Sequence, residues 1–233
     1  MKRISLWVLA AAAILALADP GWARDGGGGM GYFAFGWRQV DVDELNVVLK
    51  GKGYPAFSDG YFLLGGGGHA VIRYNLIVGG EGHGLVRRQQ SGLARRTSIS
   101  GGYGFFNVGY SLYRTDELRV YPLLGLGGGS LQLDISERAV TSFGQILDDP
   151  GRSAQVSTGG LLLDLALGAD YLLALREDKD SQSGMVFGLR AGYTWAPLKG
   201  EWRLAEADVA EGPPAGIEGA YVRLVIGRGT LGK

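Results

Sequence analysis

The residues best suited to chemistry are the only two histidines of the chain and a nearby glutamate, which are His69, Glu81 and His83. Imidazole and carboxylate groups can bind a metal ion or form a general base with the group that orients it. A three-residue turn at 74–76 would place His69 opposite Glu81, with His83 two residues along on the same face, whereas a two-residue turn would scatter them. The pattern puts no serine nucleophile beside them, so we do not expect an enzyme, and catalysis by these three residues stays an alternative. We also expect no metal site.

Other charged residues occur singly, at alternating positions among glycines and small hydroxyl residues. They are Arg73, Asp134, Asp164, Asp170, Arg190 and Arg223. Buried charges are costly unless they are paired, so we expect these residues to join His69, Glu81 and His83 in an interior polar network. Asp164 and Arg190 lie at similar distances from the turn between their strands, which predicts that they meet, with Arg223 beside them.

The composition excludes several classes of protein. Of 233 residues, 42 are glycine, 46% are hydrophobic and none is cysteine, which argues against disorder, a disulfide scaffold and a thiolate metal site. With 23 basic and 23 acidic residues, the chain has no electrostatic case for binding nucleic acid. No motif indicates a cofactor, because the glycine runs lack the pattern of a phosphate-binding loop.

Residues 1–23 have the pattern of a cleaved secretory signal peptide. Lys2 and Arg3 precede a short apolar run from Leu6 to Leu17, and Gly21 and Ala23 are small residues at the positions that signal peptidase requires. We therefore expect an exported mature chain that forms a single domain over residues 24–233.

After this segment the hydrophobic pattern has a period of two, which predicts strands. Eight are expected, at about 29–38, 62–73, 77–88, 95–113, 118–135, 155–173, 184–197 and 216–228. Short and long connections alternate between them. Within the first long connection, residues 41–50 have the pattern of a short helix capped by Asp41 and packed over the mouth of a barrel.

Most of these strands have one apolar face and one face of glycines, small residues and single charges. The apolar positions predicted to face lipid are Phe106, Val108, Tyr110, Leu161, Leu163, Leu165, Leu167, Phe187, Leu189, Tyr193, Trp195, Val222 and Leu224. Tyr121 and Tyr171 are expected to join Tyr193 and Trp195 in an interfacial aromatic girdle. Alternation alone leaves open a soluble barrel whose apolar face points inward, but the scarcity of charges on the polar faces favours a filled lumen.

In this architecture the chain resembles the small eight-stranded outer-membrane β-barrel proteins of the OmpA/OmpX type over residues 29–228. The resemblance implies an all-β, antiparallel, up-and-down transmembrane barrel in the outer membrane of a Gram-negative-type bacterium. It also implies contact with membrane lipid and insertion by the barrel assembly machinery. That family usually ends in an aromatic residue, whereas this chain ends at Lys233.

The function expected from this class is a structural or interaction role, in which extracellular loops contact a partner protein. Three alternatives remain open at this point. They are transport of small or lipophilic molecules through a narrow lumen, a soluble periplasmic carrier similar to lipocalins, and a barrel enzyme.

Overall fold

A computed structural model describes residues 28–72, 75–91, 95–137, 144, 153–177, 181–205 and 207–232. Its long strands are β1 (Gly28–Gln39), β2 (Gly60–Ile72), β3 (Leu76–Ser91), β4 (Arg95–Tyr110), β6 (Leu118–Glu137), β7 (Ser153–Glu177), β8 (Ser181–Lys199) and β11 (Gly219–Gly232). Three short strands are β5 (Tyr113–Arg114), β9 (Trp202–Leu204) and β10 (Ala207–Val209), and the helix is α1 (Asp43–Gly51). The predicted signal peptide lies outside the described residues.

The eight long strands close into a barrel. Each pairs antiparallel with its neighbours in chain order, from β1–β2 round to β8–β11, and β11 pairs back onto β1 through ten residue pairs from Gly29↔Thr230 to Arg38↔Tyr221. The predicted number of strands and their up-and-down order are confirmed.

The two ends of the barrel differ. Short connections at 73–75, 111–117 and 178–180 lie at the end where β1 begins and β11 finishes, which we call the inner end. Three of the four connections at the outer end are longer, at 40–59, 138–152 and 200–218, and they include α1 and the hairpin of β9 and β10, whereas the fourth spans only 92–94. An even number of antiparallel strands with this asymmetry is the architecture of outer-membrane barrels. Among the described helical residues, none belong to a helix long and apolar enough to cross a membrane.

Every long strand carries exposed apolar side chains on its outer face. All thirteen side chains predicted to face lipid point outward, with exposed fractions between 38% and 59%. Others on the same surface are Phe33, Phe35, Trp37, Phe62, Leu64, Leu76, Leu124, Leu126 and Ile226. Soluble monomers rarely expose so large a continuous apolar surface. A lipocalin-like carrier would need these faces to line the interior, and they do not.

Strand β6 departs from the predicted facing. Tyr121 is fully buried inside the barrel, so its expected place in the aromatic girdle is wrong. Asp134 lies on the outer face instead of in the lumen, where its carboxylate accepts a hydrogen bond from Arg87 at 2.9 Å. Strand β6 has leucines on both faces, so alternation did not distinguish inside from outside there.

Glycines occur on both faces of the barrel wall, and the space that a side chain would have differs between the two faces. On the inner face, a Cβ added at Gly67 would lie 2.5 Å from the carbonyl oxygen of Gly80 and 2.8 Å from the Tyr32 hydroxyl. On the outer face, a Cβ added at Gly82 would meet nothing closer than 3.9 Å. Inward glycines therefore make room for the large side chains that fill the interior.

Candidate functional site

The interior of the barrel contains two clusters of different chemistry. The inner half holds the ionic network, which consists of Tyr32, His69, Glu81, His83, Arg119, Tyr121, Asp164, Asp170, Arg190, Tyr221 and Arg223. The outer half holds the apolar plug, formed by Val42, Leu45, Leu49, Phe57, Trp202, Ala215 and Ile217 from the connections together with inward side chains of the strands.

Glu81 is the centre of the ionic network. Its Oε1 accepts a hydrogen bond from Nη2 of Arg223 at 2.6 Å, and its Oε2 accepts from the Tyr32 hydroxyl at 2.8 Å and from Nη1 of Arg190 at 3.3 Å. The Glu81 side chain has no exposed surface. One carboxylate thus contacts two buried guanidinium groups, and charge-assisted hydrogen bonds of this kind are stronger than neutral ones.

These contacts cross the lumen. Glu81 lies on β3, and Arg190 lies on β8, four strands away in either direction around the ring of eight. Arg223 lies directly beside Arg190 in the β8–β11 pairing. The two arginines lie side by side on one wall, and the Glu81 carboxylate from the opposite wall bridges them. These three residues therefore connect the barrel across its diameter, and we call Glu81, Arg190 and Arg223 the brace.

Both histidines accept hydrogen bonds from arginine. Nη1 of Arg223 lies 2.7 Å from Nε2 of His83, and Nη2 of Arg190 lies 3.3 Å from Nδ1 of His69. A guanidinium group can only donate, so each ring nitrogen must be the unprotonated one and both imidazoles are neutral. For the same reason the 3.7 Å approach of His83 Nε2 to Glu81 is a contact and not an ion pair.

Two further carboxylates are held by hydroxyl groups. The Tyr121 hydroxyl donates to Oδ2 of Asp170 at 2.5 Å. Asp164 accepts from the Tyr221 hydroxyl and from Thr194 Oγ1, both at 2.7 Å. The predicted meeting of Asp164 with Arg190 is therefore wrong, because Arg190 lies opposite Gly168, with Asp164 opposite Thr194.

The β2–β3 register also differs from the expected one. His69 lies opposite Gly79 and Glu81 lies opposite Gly67. The three-residue connection is therefore 73–75 and not 74–76, so each β2 residue pairs with a β3 residue two positions earlier than expected. A shift of this size keeps all three residues on the inward face, but His69 and Glu81 meet only through Arg190. Arg73 lies outside the described residues.

Sequence reasoning missed two buried arginines. Arg38 is fully buried, with its guanidinium 4.4 Å from the centre of the Tyr103 ring and Nη2 3.5 Å from the carbonyl oxygen of Ile217. Arg119 lines a cavity at the inner end together with His69 and Asp170. The alternation of inward and outward side chains along β1 and β6 could have identified them, because both arginines occupy inward positions.

The apolar plug closes the outer half. Leu45 and Leu49 on α1 are 3% and 4% exposed, and they pack with Phe57 and Ile217 against inward residues of the strands such as Leu131. As predicted, the helix packs over the mouth. It begins at Asp43 with Val42 as its N-cap, so Asp41 is not the N-cap residue that the pattern predicted. The Asp41 Oδ1 still accepts a long hydrogen bond, at 3.5 Å, from the backbone N–H of Asp43.

Asp41 instead anchors the plug to the rim. Its backbone pairs with Gly216, and its Oδ2 accepts from Nζ of Lys199 at 2.6 Å, while Lys199 also reaches Glu218 at 3.1 Å. Partial burial works to lower the pKa of Lys199, but its hydrogen bonds to Asp41 and Glu218 outweigh burial and raise it. The contact ties together the two connections that form the plug.

The two clusters offer little reactive chemistry. No hydroxyl group of the described residues is hydrogen bonded to either histidine. Within the same part of the chain, no group of three or more histidine, aspartate and glutamate side chains is arranged to hold a metal ion. The arrangement is suited to bracing and sealing the barrel.

No protein-family model matches the chain, and no curated protein matches it. Among solved structures it is similar to Ail, the attachment invasion locus protein of Yersinia pestis, with 12% identity, a TM-score of 0.43 and coverage of 89% of this chain and 99% of that one. It is also similar to Neisserial surface protein A, with 9% identity, a TM-score of 0.37 and coverage of 89% and 97%. The outer membrane protease OmpT from Escherichia coli matches with 8% identity, a TM-score of 0.32 and coverage of 90% and 97%. The barrel fold itself is established by the strand pairing of this chain.

Proposed function

We propose that the protein is an outer-membrane barrel that does not conduct, and that its role is to hold a folded platform at the cell surface for contact with a partner. The observation that carries this proposal is the double closure of the interior. The ionic network seals the inner half with groups from opposite walls, and the apolar plug seals the outer half with segments of the connections.

The outer surface supports insertion into lipid. Exposed apolar side chains surround the barrel. The rings of Tyr193 and Trp195 pack in a tilted arrangement, with centroids 4.8 Å apart, towards the outer end of β8, where aromatic residues commonly meet the membrane interface. We expect the protein to stay with outer membranes after a carbonate wash and to migrate differently when unheated and boiled on a denaturing gel. Recovery in the soluble periplasmic fraction without a gel shift would contradict the proposal.

The double closure predicts how conduction responds to mutation. In planar bilayers we expect no stable conductance from the parent protein. Removing the brace with Glu81→Ala, Arg190→Ala and Arg223→Ala should leave the bilayer closed because the plug remains, as should deletion of residues 43–57 because the brace remains. Only the combined variant should conduct. Each variant is used only if it retains the heat-dependent gel shift, and conductance by the parent would overturn the proposal.

Catalysis and narrow-lumen transport receive less support from the same contacts. Glu81 and His83 have no exposed side-chain surface, so a substrate has no route to them while the barrel is closed. A small molecule crossing the lumen would have to displace both the brace and the plug.

Export and assembly belong to the same proposal. Residues 1–23 would direct export and be removed, and the barrel assembly machinery would insert the rest as a single barrel domain. We expect the mature protein purified from outer membranes to begin at Arg24 when its N-terminus is sequenced. A mature N-terminus that retains Lys2 and Arg3 would contradict the cleavage.

A further inference from the structure

A closed barrel has no sheet edge, but β3, β4, β6 and β7 continue past the closed part at the outer end, and β3 lies at one edge of this extension. The β2–β3 pairing ends at Leu63↔Leu85, whereas the β3–β4 pairing continues to Ser91↔Arg96. Residues 88–91 therefore pair on one side only, and Val86 and Arg87 lie at a break in the β3–β4 register. Among the described residues, no backbone hydrogen bond joins residues 86–91 to a strand on their other side. We call residues 86–91 the β3 edge.

The edge is open because the chain before β2 is used elsewhere. Residues 40–59 turn inward to build the plug, where Phe57 is 3% exposed and the backbone N–H of Val40 bonds to the carbonyl of Asp59 at 2.9 Å. Arg88 bonds to the hydroxyl of Ser58, which holds the base of the edge beside the plug. The strand is thus supported at its base and free above it.

The hairpin that carries the edge is strongly cationic. Residues 82–115 contain no aspartate or glutamate, and arginines stand at 87, 88, 95 and 96. Asp134 forms an ion pair with Arg87, and the Arg87 side chain remains 61% exposed. Unpaired edges are a template for strand addition, and the surplus of arginine selects a partner of negative charge.

We propose that the β3 edge binds an extended acidic segment of another protein as an added strand. The inference rests on the proposed function, because the edge must face the cell exterior, and it names the partner chemistry of the platform. A peptide backbone alternates N–H and C=O groups at the spacing of a strand and pairs with both kinds of group on the edge, whereas a sulfated glycan does not repeat donors and acceptors at that spacing. A second copy of this chain would bring arginines against arginines, so the charges disfavour it.

The test uses the full-length protein folded in lipid nanodiscs, with its heat-dependent gel shift as proof of folding. The probe is a ten-residue peptide of alternating glutamate and valine. Its matched control has the same sequence and charge but carries N-methyl groups on alternate residues, which removes the donors of one strand edge. Hydrogen exchange of residues 86–91 is followed together with affinity.

We expect the unmodified peptide to slow exchange at 86–91 and the N-methylated peptide to bind at least about tenfold more weakly. Arg87→Glu with Arg88→Glu should weaken binding by a similar factor, and Gln89→Glu provides a milder charge change if that variant does not fold. Arg203→Glu is the control, because Arg203 is an exposed arginine at another part of the rim, paired with Asp208.

Three outcomes overturn the inference. Equal affinity for the two peptides would show that charge alone holds the peptide and that backbone hydrogen bonds to the edge do not contribute. Binding of a sulfated oligosaccharide without binding of the peptide assigns the arginines to a glycan. Protection of 86–91 that appears with protein concentration alone assigns the edge to a second copy. Absence of the gel shift and of membrane retention would refute the proposed function, whereas a properly inserted barrel that ignores the peptide refutes only this inference.

Discussion

The two halves of the interior are filled in opposite ways. In the inner half, long charged side chains from the strands meet across the lumen, and Glu81 alone has three hydrogen-bond partners. In the outer half, the strands contribute leucine and isoleucine, and chain segments from the connections complete the packing. Inward positions of the barrel therefore need not be polar. What an inward residue must be depends on whether strands or connections fill the space in front of it.

The two fillings should respond differently to mutation. Removing one partner of a buried ion pair leaves an uncompensated charge, whereas trimming an apolar side chain leaves a cavity whose cost depends on how well the site relaxes. The brace should therefore be sensitive to single changes and tolerant of concerted ones.

The largest effect is expected from Glu81→Ala. It leaves Arg190 and Arg223 adjacent, buried and unbalanced, so we expect the free energy of unfolding to fall by about 3–5 kcal/mol. Unfolding by urea in lipid vesicles, followed by tryptophan fluorescence, measures the change. Glu81→Leu combined with Arg190→Met and Arg223→Met removes all three charges and should recover most of the loss. If the triple variant is as unstable as the single one, charge balance is not the reason for the brace.

Leu45→Ala is expected to have the next largest effect. Leu45 is 3% exposed within the plug, and a cavity of this kind costs about 2–4 kcal/mol. Hydrogen exchange of the α1 amides should accelerate while that of the barrel strands changes little. Val47→Ala is the matched control on the same helix, because Val47 is 71% exposed, and it should change stability by less than about 0.5 kcal/mol. Equal effects of the two variants would mean that α1 is not anchored by its inward face.

A smaller effect is expected from the inward glycine Gly67. An alanine there must displace the carbonyl oxygen of Gly80 or the Tyr32 hydroxyl that bonds to Glu81, so Gly67→Ala should cost about 1–3 kcal/mol by overpacking. Gly82→Ala faces outward into open space and should be close to neutral. Urea unfolding of the two variants compares them directly, and a larger loss for Gly82→Ala would show that the outer surface, and not the interior, requires glycine.

The smallest effect concerns the tie between plug and rim. Lys199→Met removes the contacts to Asp41 and Glu218, and because these groups are partly exposed the expected loss is under about 1 kcal/mol. The folded pKa of Lys199 is raised, so its contribution is fully present below the ordinary lysine pKa and disappears as pH rises through the raised value. The difference in unfolding free energy between parent and variant should therefore shrink at strongly alkaline pH. A difference that stays constant with pH would indicate that the ammonium charge is not responsible.

Alternation determined the strands and most of their facing, because successive side chains point to opposite sides of any strand. On β7, β8 and β11 one face is uniformly apolar, so the pattern was unambiguous and all the outward residues predicted there are exposed. On β6 the apolar residues occupy both faces. The pattern could not reveal that Leu131 and Leu133 pack on a plug made by distant connections, nor that Asp134 stands on the outer face with Arg87.

The sequence by itself determined that the chain forms eight strands, that a helix lies in the first long connection, and that His69, Glu81, His83, Asp164, Asp170, Arg190 and Arg223 turn inward. Only the tertiary structure decided which of them meet. Glycine-rich strands carry few side chains that specify register, and partners such as Glu81 and Arg190 come from opposite walls, so their distance depends on the closure of the whole ring. The β3 edge also exists only because residues 40–59, which precede β2 in the chain, fill the mouth of the barrel and leave this part of β3 without a neighbouring strand.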